Sequence, residues 1–161
     1  MIFLTIGTLE PFDRLVQMVD MVAAKGEVKE PIIGQIGFGA YHPRNMRAYP
    51  VLEKKEFDSH MDQASFIISH AGMGSIITAI TLRKPMIVVP RLKKYHEHVN
   101  DHQLDTALKF EELGIVWVAN TEEELAGKIM NIADFKPAKR DNRIEPLISR
   151  ISDFLMTANG L

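Results

Sequence analysis

The stretch SFIISHAGMGSIITAITLRKPMIVVP, residues 65–90, restricts the fold more than any other part of the sequence. Two compact apolar runs, Phe66-Ile67-Ile68 and Met86-Ile87-Val88-Val89, bracket a small-residue loop, His70-Ala71-Gly72-Met73-Gly74-Ser75, and a segment dense in β-branched side chains. β-branching alone favours a strand for that segment. Its spacing decides otherwise: Met73, Ile76, Ile77 and Ile80 recur at i, i+3, i+4 and i+7, the stripe of a helix, whereas a half-buried strand alternates. The stretch therefore reads strand, glycine loop, helix, strand: a βαβ unit with a loop of phosphate size at its turn.

The rest of the chain continues the alternation. Ile2 to Ile6 is a β-type run ending at Gly7-Thr8, and Pro11 then suits a first helical turn ahead of Phe12, Leu15, Val16, Val19 and Val22, with a stop at Gly26. Pro31 to Gly37 gives a second strand, Tyr41 to Asn45 a loop, and Tyr49 to Leu52 a third, weak strand. A short helix is expected over Asp58 to Gln63, capped by Ser59 or Asp58, with Met61 inward. After the central unit come a polar, basic segment from Arg91 to His98, a helix from Val99 to Leu113 closed by Gly114, and a strand from Ile115 to Val118. Thr121 and Glu124 form a capping box for a helix through Ile132, and Asn142 to Thr157 reads as a last amphipathic helix.

This pattern predicts an α/β fold, a single Rossmann-like domain over residues 1–161, with a mostly parallel sheet and helices on both faces. Ligands of such sheets bind beyond the carboxyl ends of the strands. Three polar loops should meet there: Gly7-Thr8, His70 to Ser75, and Arg91 to Gln103. Recognition has to be local, because a net charge of −2 gives no global attraction for nucleic acid. The absence of cysteine removes disulfides and thiolate chemistry and suits a reducing cytosol. No run of roughly 18 apolar residues is long enough to span a bilayer, and the start MIFLTIGT lacks the basic end and long apolar centre of a signal peptide.

Gly72-Met73-Gly74-Ser75 can turn backbone N–H groups and a helix N-terminus toward an anion, but a glycine turn that merely joins strand to helix fits the spacing equally well. A dinucleotide fingerprint would need glycine where Ile77 stands, and a P-loop would need Gly-Lys-Ser/Thr; neither is present. His96, His98 and His102 invite a metal reading, against which stand the missing His-Glu-x-x-His pattern and the lack of cysteine. Arg91, Lys93 and Lys94 are placed to assist a diphosphate or simply to face solvent. No Ser-His-Asp order or Gly-x-Ser-x-Gly elbow is readable.

Two blocks together carry a resemblance: Phe66 to Ser75 running on through Lys84-Pro85-Met86-Ile87-Val88-Val89-Pro90-Arg91, then Glu97-His98-Val99-Asn100-Asp101-His102-Gln103. With Thr5-Ile6-Gly7-Thr8 and Phe12-Asp13-Arg14-Leu15, they resemble the donor-binding half of family 28 glycosyltransferases of the GT-B architecture, and within it the small bacterial polysaccharide subunits of the PssE type. Those in turn are similar to the soluble subunit of the dolichol-pathway N-acetylglucosaminyltransferase. The resemblance implies a UDP-sugar site without a metal or other cofactor. Gly72, Gly74 and Ser75 would hold the diphosphate, Gly7 and Thr8 would close the site, and His102 and Gln103 would meet the sugar hydroxyls. His70, Arg91 and Asn100 would contact the ligand or order the loops. Many relatives carry a ribose-binding glutamate three residues beyond the serine; here that position is Thr78, whose neutral hydroxyl is the weaker partner.

A GT-B enzyme has two Rossmann-like domains, and this length accommodates one. The resemblance therefore implies a hexosyltransferase subunit whose acceptor half and catalytic base lie on a membrane-anchored partner of the PssD type. Together they would transfer a hexose or N-acetylhexosamine from a UDP-sugar to a lipid-linked saccharide in exopolysaccharide or capsule biosynthesis. The subunit would sit peripherally at the inner membrane face through that partner, with homo-oligomers forming in its absence and no role for nucleic acid. The alternative is a non-catalytic regulatory or scaffolding subunit with impaired donor binding, which Thr78 favours.

Overall fold

The computed structural model describes residues 1–7, 10–136 and 146. The described elements are β1 (Ile2–Thr5), α1 (Asp13–Ala24), β2 (Ile32–Gln35), β3 (Arg47–Tyr49), α2 (Lys54–Gln63), β4 (Phe66–Ser69), α3 (Met73–Thr81), β5 (Met86–Val88), α4 (His102–Glu112), β6 (Trp117–Val118) and α5 (Glu122–Met130). Single 3₁₀ turns cover Lys93–Tyr95 and Ile132–Asp134. The six strands form one sheet, parallel at every pairing, in the order β3-β2-β1-β4-β5-β6. The sheet is thus wholly parallel, sharper than the expectation of a mostly parallel one.

Strand alternation sorts the core into two layers. Ile2, Leu4, Phe66, Ile68 and Ile87 face α1 and α5, while Phe3, Ile67, Met86 and Val88 face α2, α3 and α4 through Met61, Ile76, Ala79, Ala107 and Phe110. Each fully buried aromatic or branched side chain contributes about 1.5–3 kcal/mol. Helices α1 and α5 are also joined by a Lys25–Glu122 ion pair at 2.7 Å. Among the described residues no helix is long and apolar enough to cross a membrane.

Of the boundaries that differ from expectation, three do so for identifiable reasons. β3 covers Arg47–Tyr49, not Tyr49 to Leu52, because Pro50 has no N–H to give the ladder; its carbonyl and that of Tyr49 accept from Gly37 and Ile36 instead. α2 begins a turn early, so the expected caps lie inside it: Asp58 pairs with Lys54 at 2.6 Å, and Ser59 Oγ accepts from Gln63 Nε2. α4 begins at His102 and leaves Val99, 81% exposed, in the preceding loop, so His98 and His102 do not share a helix face. The terminators Gly26 and Gly114 do take positive φ, +72° and +68°, as helix-ending glycines should. The expected helix from Asn142 to Thr157 lies outside the described residues.

The β2–β3 connection is an irregular loop in place of a crossover helix. Asp20, an acidic side chain on the buried face of α1, holds it: one carboxylate oxygen accepts from the N–H groups of Arg44 and Asn45 (3.0 and 2.7 Å), the other from the Tyr41 hydroxyl (2.8 Å). Burial by itself would raise the Asp20 pKa; these bonds outweigh it and hold the carboxyl below the usual range.

Candidate functional site

The direction of winding reverses between β1 and β4, since β1 continues toward β2 and β4 toward β5. Beyond their carboxyl ends a cleft of about 650 Å³ opens at this switch point. Its lining comes from the loop after β1 (Ile6, Gly7, Glu10), the β4–α3 turn (His70, Gly72, Gly74, Ser75) and the segment after β5 (Arg91, His96, His98, Val99, Gln103).

The β4–α3 turn has the geometry to receive an anion. Gly72 is the N-cap of α3 and no side chain caps it; Ile76 N–H is the first to bond back, to the Gly72 carbonyl at 3.2 Å. The N–H groups of Met73, Gly74 and Ser75 are therefore left for a ligand at the positive end of the helix dipole. Gly74 is open: a Cβ there would meet nothing within 4 Å. Gly72 is the opposite, since a Cβ would overlap His70 Nε2. The His70 ring is boxed on its other side by Gly7, at φ +82°, where a Cβ would come 3.1 Å from its Cε1. Burial first, and the nearby Arg91 charge second, push His70 down to about 4, so the ring is neutral at physiological pH. Its Nδ1 lies 3.2 Å from Ser69 Oγ.

Arg91 stands in the cleft wall with its guanidinium turned largely to main-chain carbonyls. Only 4% exposed, it donates from Nη1 to the Pro11 carbonyl (2.7 Å) and from Nη2 to those of Ile6 and Glu10 (3.1 and 2.7 Å), and its guanidinium lies 4.5 Å from the Phe12 ring centroid. Burial lowers its pKa, with Glu10 and Glu97 opposing. It thus ties the loop after β1 to the end of β5. A second strut comes from Arg14, which grips Glu97 with two hydrogen bonds (2.7 and 2.9 Å) and the Pro90 carbonyl with a third (2.8 Å). Glu97 accepts in turn from Leu92 N–H at 3.0 Å, fixing the segment that forms the third wall.

Gln103 closes that wall with a defined polarity. Its Oε1 accepts from Arg91 N–H (3.2 Å), which leaves the Nε2 hydrogens of this cleft-lining residue available to donate. Asn100 and His102 do not line the cleft: Asn100 Oδ1 accepts from His102 N–H at 3.2 Å, and the exposed His102 opens α4. Thr78 is one turn into α3 and donates to the Gly74 carbonyl at 2.9 Å, also away from the lining. Thr8 lies outside the described residues. Of the residues singled out in the sequence, the cleft therefore gathers Gly7, His70, Gly72, Gly74, Ser75, Arg91 and Gln103. It also takes in His96 and His98, singled out in the sequence only for a metal, and adds Glu10 and Val99, in loops after strands where position alone could have nominated them. Lys93 and Lys94 are exposed and line none of it.

With this geometry, residues 1–155 match the glycosyltransferase family 28 C-terminal domain. The chain belongs to that family. It is 37% identical over 67 residues to the UDP-N-acetylglucosamine transferase subunit ALG13 of Eremothecium gossypii, covering 41% of this chain and 31% of that one. Against the UDP-N-acetylglucosamine--N-acetylmuramyl-(pentapeptide) pyrophosphoryl-undecaprenol N-acetylglucosamine transferase of Clostridium botulinum it is 27% identical over 121 residues, 74% of this chain and 30% of that one. The match thus spans about a third of each curated relative's length. The solution structure of ALG13 superimposes with a TM-score of 0.59 over 91% of this chain and 94% of that one, at 23% identity, a likeness of fold. The parallel sheet described above is the Rossmann-like fold of one half of a GT-B glycosyltransferase.

Proposed function

We propose that this chain is the donor-binding subunit of a two-subunit, metal-independent glycosyltransferase that moves a hexose or N-acetylhexosamine from a UDP-sugar to a lipid-linked acceptor. The observation that carries the reading is the uncapped start of α3 facing the switch-point cleft, where the Met73, Gly74 and Ser75 N–H groups are left over beside an open Gly74. These groups hold the diphosphate, and as the sugar departs they stabilise the charge developing on UDP, the work a metal performs elsewhere. Gln103 Nε2 donates to a sugar oxygen, and neutral His70 braces the two glycine loops. The acceptor site and the catalytic base belong to a membrane-anchored partner that holds this subunit at the cytoplasmic face. Two relatives named for N-acetylglucosamine transfer make UDP-N-acetylglucosamine the first donor to try.

Calorimetric titration of UDP and of a UDP-sugar panel, alone and with the co-expressed partner, tests this. Gly74→Ala sharpens it, because the site is sterically open and alanine is the better helix former: stability is unchanged or rises by a few tenths of a kcal/mol, while donor affinity falls. No UDP-sugar binding in either preparation overturns the proposal. A scaffolding role is the second reading, favoured by Thr78, whose hydroxyl donates within its own helix and does not line the cleft; it predicts transfer unaffected by Gly74→Ala or Gln103→Ala.

A further inference from the structure

The lining of the cleft is rich in donors. The α3 amides and the Gln103 amide group can donate, three of the Arg91 N–H groups are bonded to carbonyls, and Glu10 is the single acidic residue lining the cleft among the described residues. Its backbone is fixed, because its carbonyl accepts from buried Arg91 at 2.7 Å, yet its side chain is exposed and no described group donates to its carboxylate. An anion at the rim of a cleft suited to an anion opposes a bare phosphate. It is favourable only if the ligand brings hydroxyl hydrogens for it to accept. Thr78, the position that would otherwise accept them, is not part of the cleft lining; its hydroxyl lies along its own helix, donating to the Gly74 carbonyl.

Resting on the donor-binding reading above, we infer that the Glu10 carboxylate accepts a hydrogen bond from a hydroxyl of the nucleotide sugar, and that it makes the cleft prefer a hydroxyl-bearing diphosphate over a bare one. The hydroxyl is on the ribose or on the transferred hexose, and the two are separable by ligand.

The test is titration of the full chain and its Glu10→Gln variant, in the preparation that binds UDP-N-acetylglucosamine, with UDP, UDP-N-acetylglucosamine and inorganic pyrophosphate. Glutamine preserves size and removes charge, and because Glu10 is exposed the melting temperature stays put. UDP-N-acetylglucosamine binds about tenfold more weakly to the variant, as expected for loss of a charge-assisted hydrogen bond, while pyrophosphate binds as well or better because a repelling charge is gone. A penalty already present with UDP assigns the hydroxyl to the ribose; one seen only with the UDP-sugar assigns it to the hexose. Equal weakening of the UDP-sugar and pyrophosphate, or no change in either, overturns the inference while leaving the donor-binding reading intact. A wild-type chain that binds pyrophosphate but neither UDP nor the UDP-sugar overturns both.

Discussion

Replacing Arg91 separates a residue that shapes the cleft from one that touches its ligand. Its guanidinium donates to three main-chain carbonyls at 2.7–3.1 Å and lies against Phe12. Bonds from a charged donor are each worth about 1.5–3 kcal/mol, though not additively. Alanine does not leave all three acceptors equally stranded. Glu10 and Pro11 are exposed, so water reaches their carbonyls, whereas Ile6 is buried and its carbonyl keeps most of the desolvation penalty. With the lost stem packing and cation–π contact, Arg91→Ala should cost about 3–4 kcal/mol, or roughly 6–15 °C in melting temperature for a chain of this size. Arg91→Lys keeps the charge but replaces a planar fork by a compact ammonium that cannot span the same three carbonyls, so about 1–2 kcal/mol is lost. Urea unfolding with linear extrapolation reads both, alongside UDP titration. The reasoning fails if Arg91→Lys is as stable as wild type. It also fails if Arg91→Ala abolishes UDP binding while costing less than about 1 kcal/mol, because that is the signature of a phosphate ligand and not of a loop tie.

Other perturbations test separate parts of the structure. His70 has a folded pKa of about 4 against 6.5 ordinarily, so between those values the unfolded chain binds more protons and stability falls as pH drops. The loss by pH 4 is about 2 kcal/mol, discounted because the ring lines the cleft, and the urea midpoint of His70→Gln should be flatter over that window. Asp20 acts at lower pH: its depressed pKa gives stability that is complete above the normal carboxylate value and lost as pH falls through the folded one. Asp20→Ala strands the Arg44 and Asn45 amides and should cost about 3 kcal/mol at pH 7, while Asp20→Asn keeps an acceptor for them, costs about 1 kcal/mol and removes the acid-side loss. Arg83 ends α3 at φ +54° with no side-chain bond among the described residues, so Arg83→Gly should raise stability by about 1 kcal/mol in the same assay.

The sequence reveals the sheet because burial on both faces leaves a readable trace. Phe66-Ile67-Ile68 and Met86-Ile87-Val88 are continuous apolar runs, and α3 keeps Ile76 and Ala79 inside with Met73 and Ile80 packed beside them. The failures come where one residue's backbone chemistry overrides a pattern. Pro50 ends β3 earlier than its apolar neighbours suggest, and the loop before His102 is held out of helix by local bonds such as Lys93 N–H to Asp101 Oδ1 at 2.8 Å. Asp20 was discoverable: it sits among Val16, Val19 and Val22 in the helical stripe, where a carboxylate has to find donors or forfeit the burial.

The cleft is harder to read, since side chains gathered by three loops share no period. A motif identifies residues by type and spacing, and it offers Gln103 for the sugar, Thr78 as a weak ribose partner, and Arg91 either for the ligand or for ordering the loops. The geometry sorts them by what each hydrogen-bonding group has left to give. Arg91 gives three of its N–H groups to carbonyls, Thr78 donates to Gly74 outside the cleft lining, and Gln103 accepts from Arg91 N–H through its oxygen and keeps its amide hydrogens for a ligand. That accounting also exposes Glu10, which matches no motif and whose carboxylate receives no bond from any described group. A family pattern therefore nominates a cleft, whereas the saturation of donors and acceptors separates the residues that build its walls from those with hydrogen-bonding capacity left for a ligand.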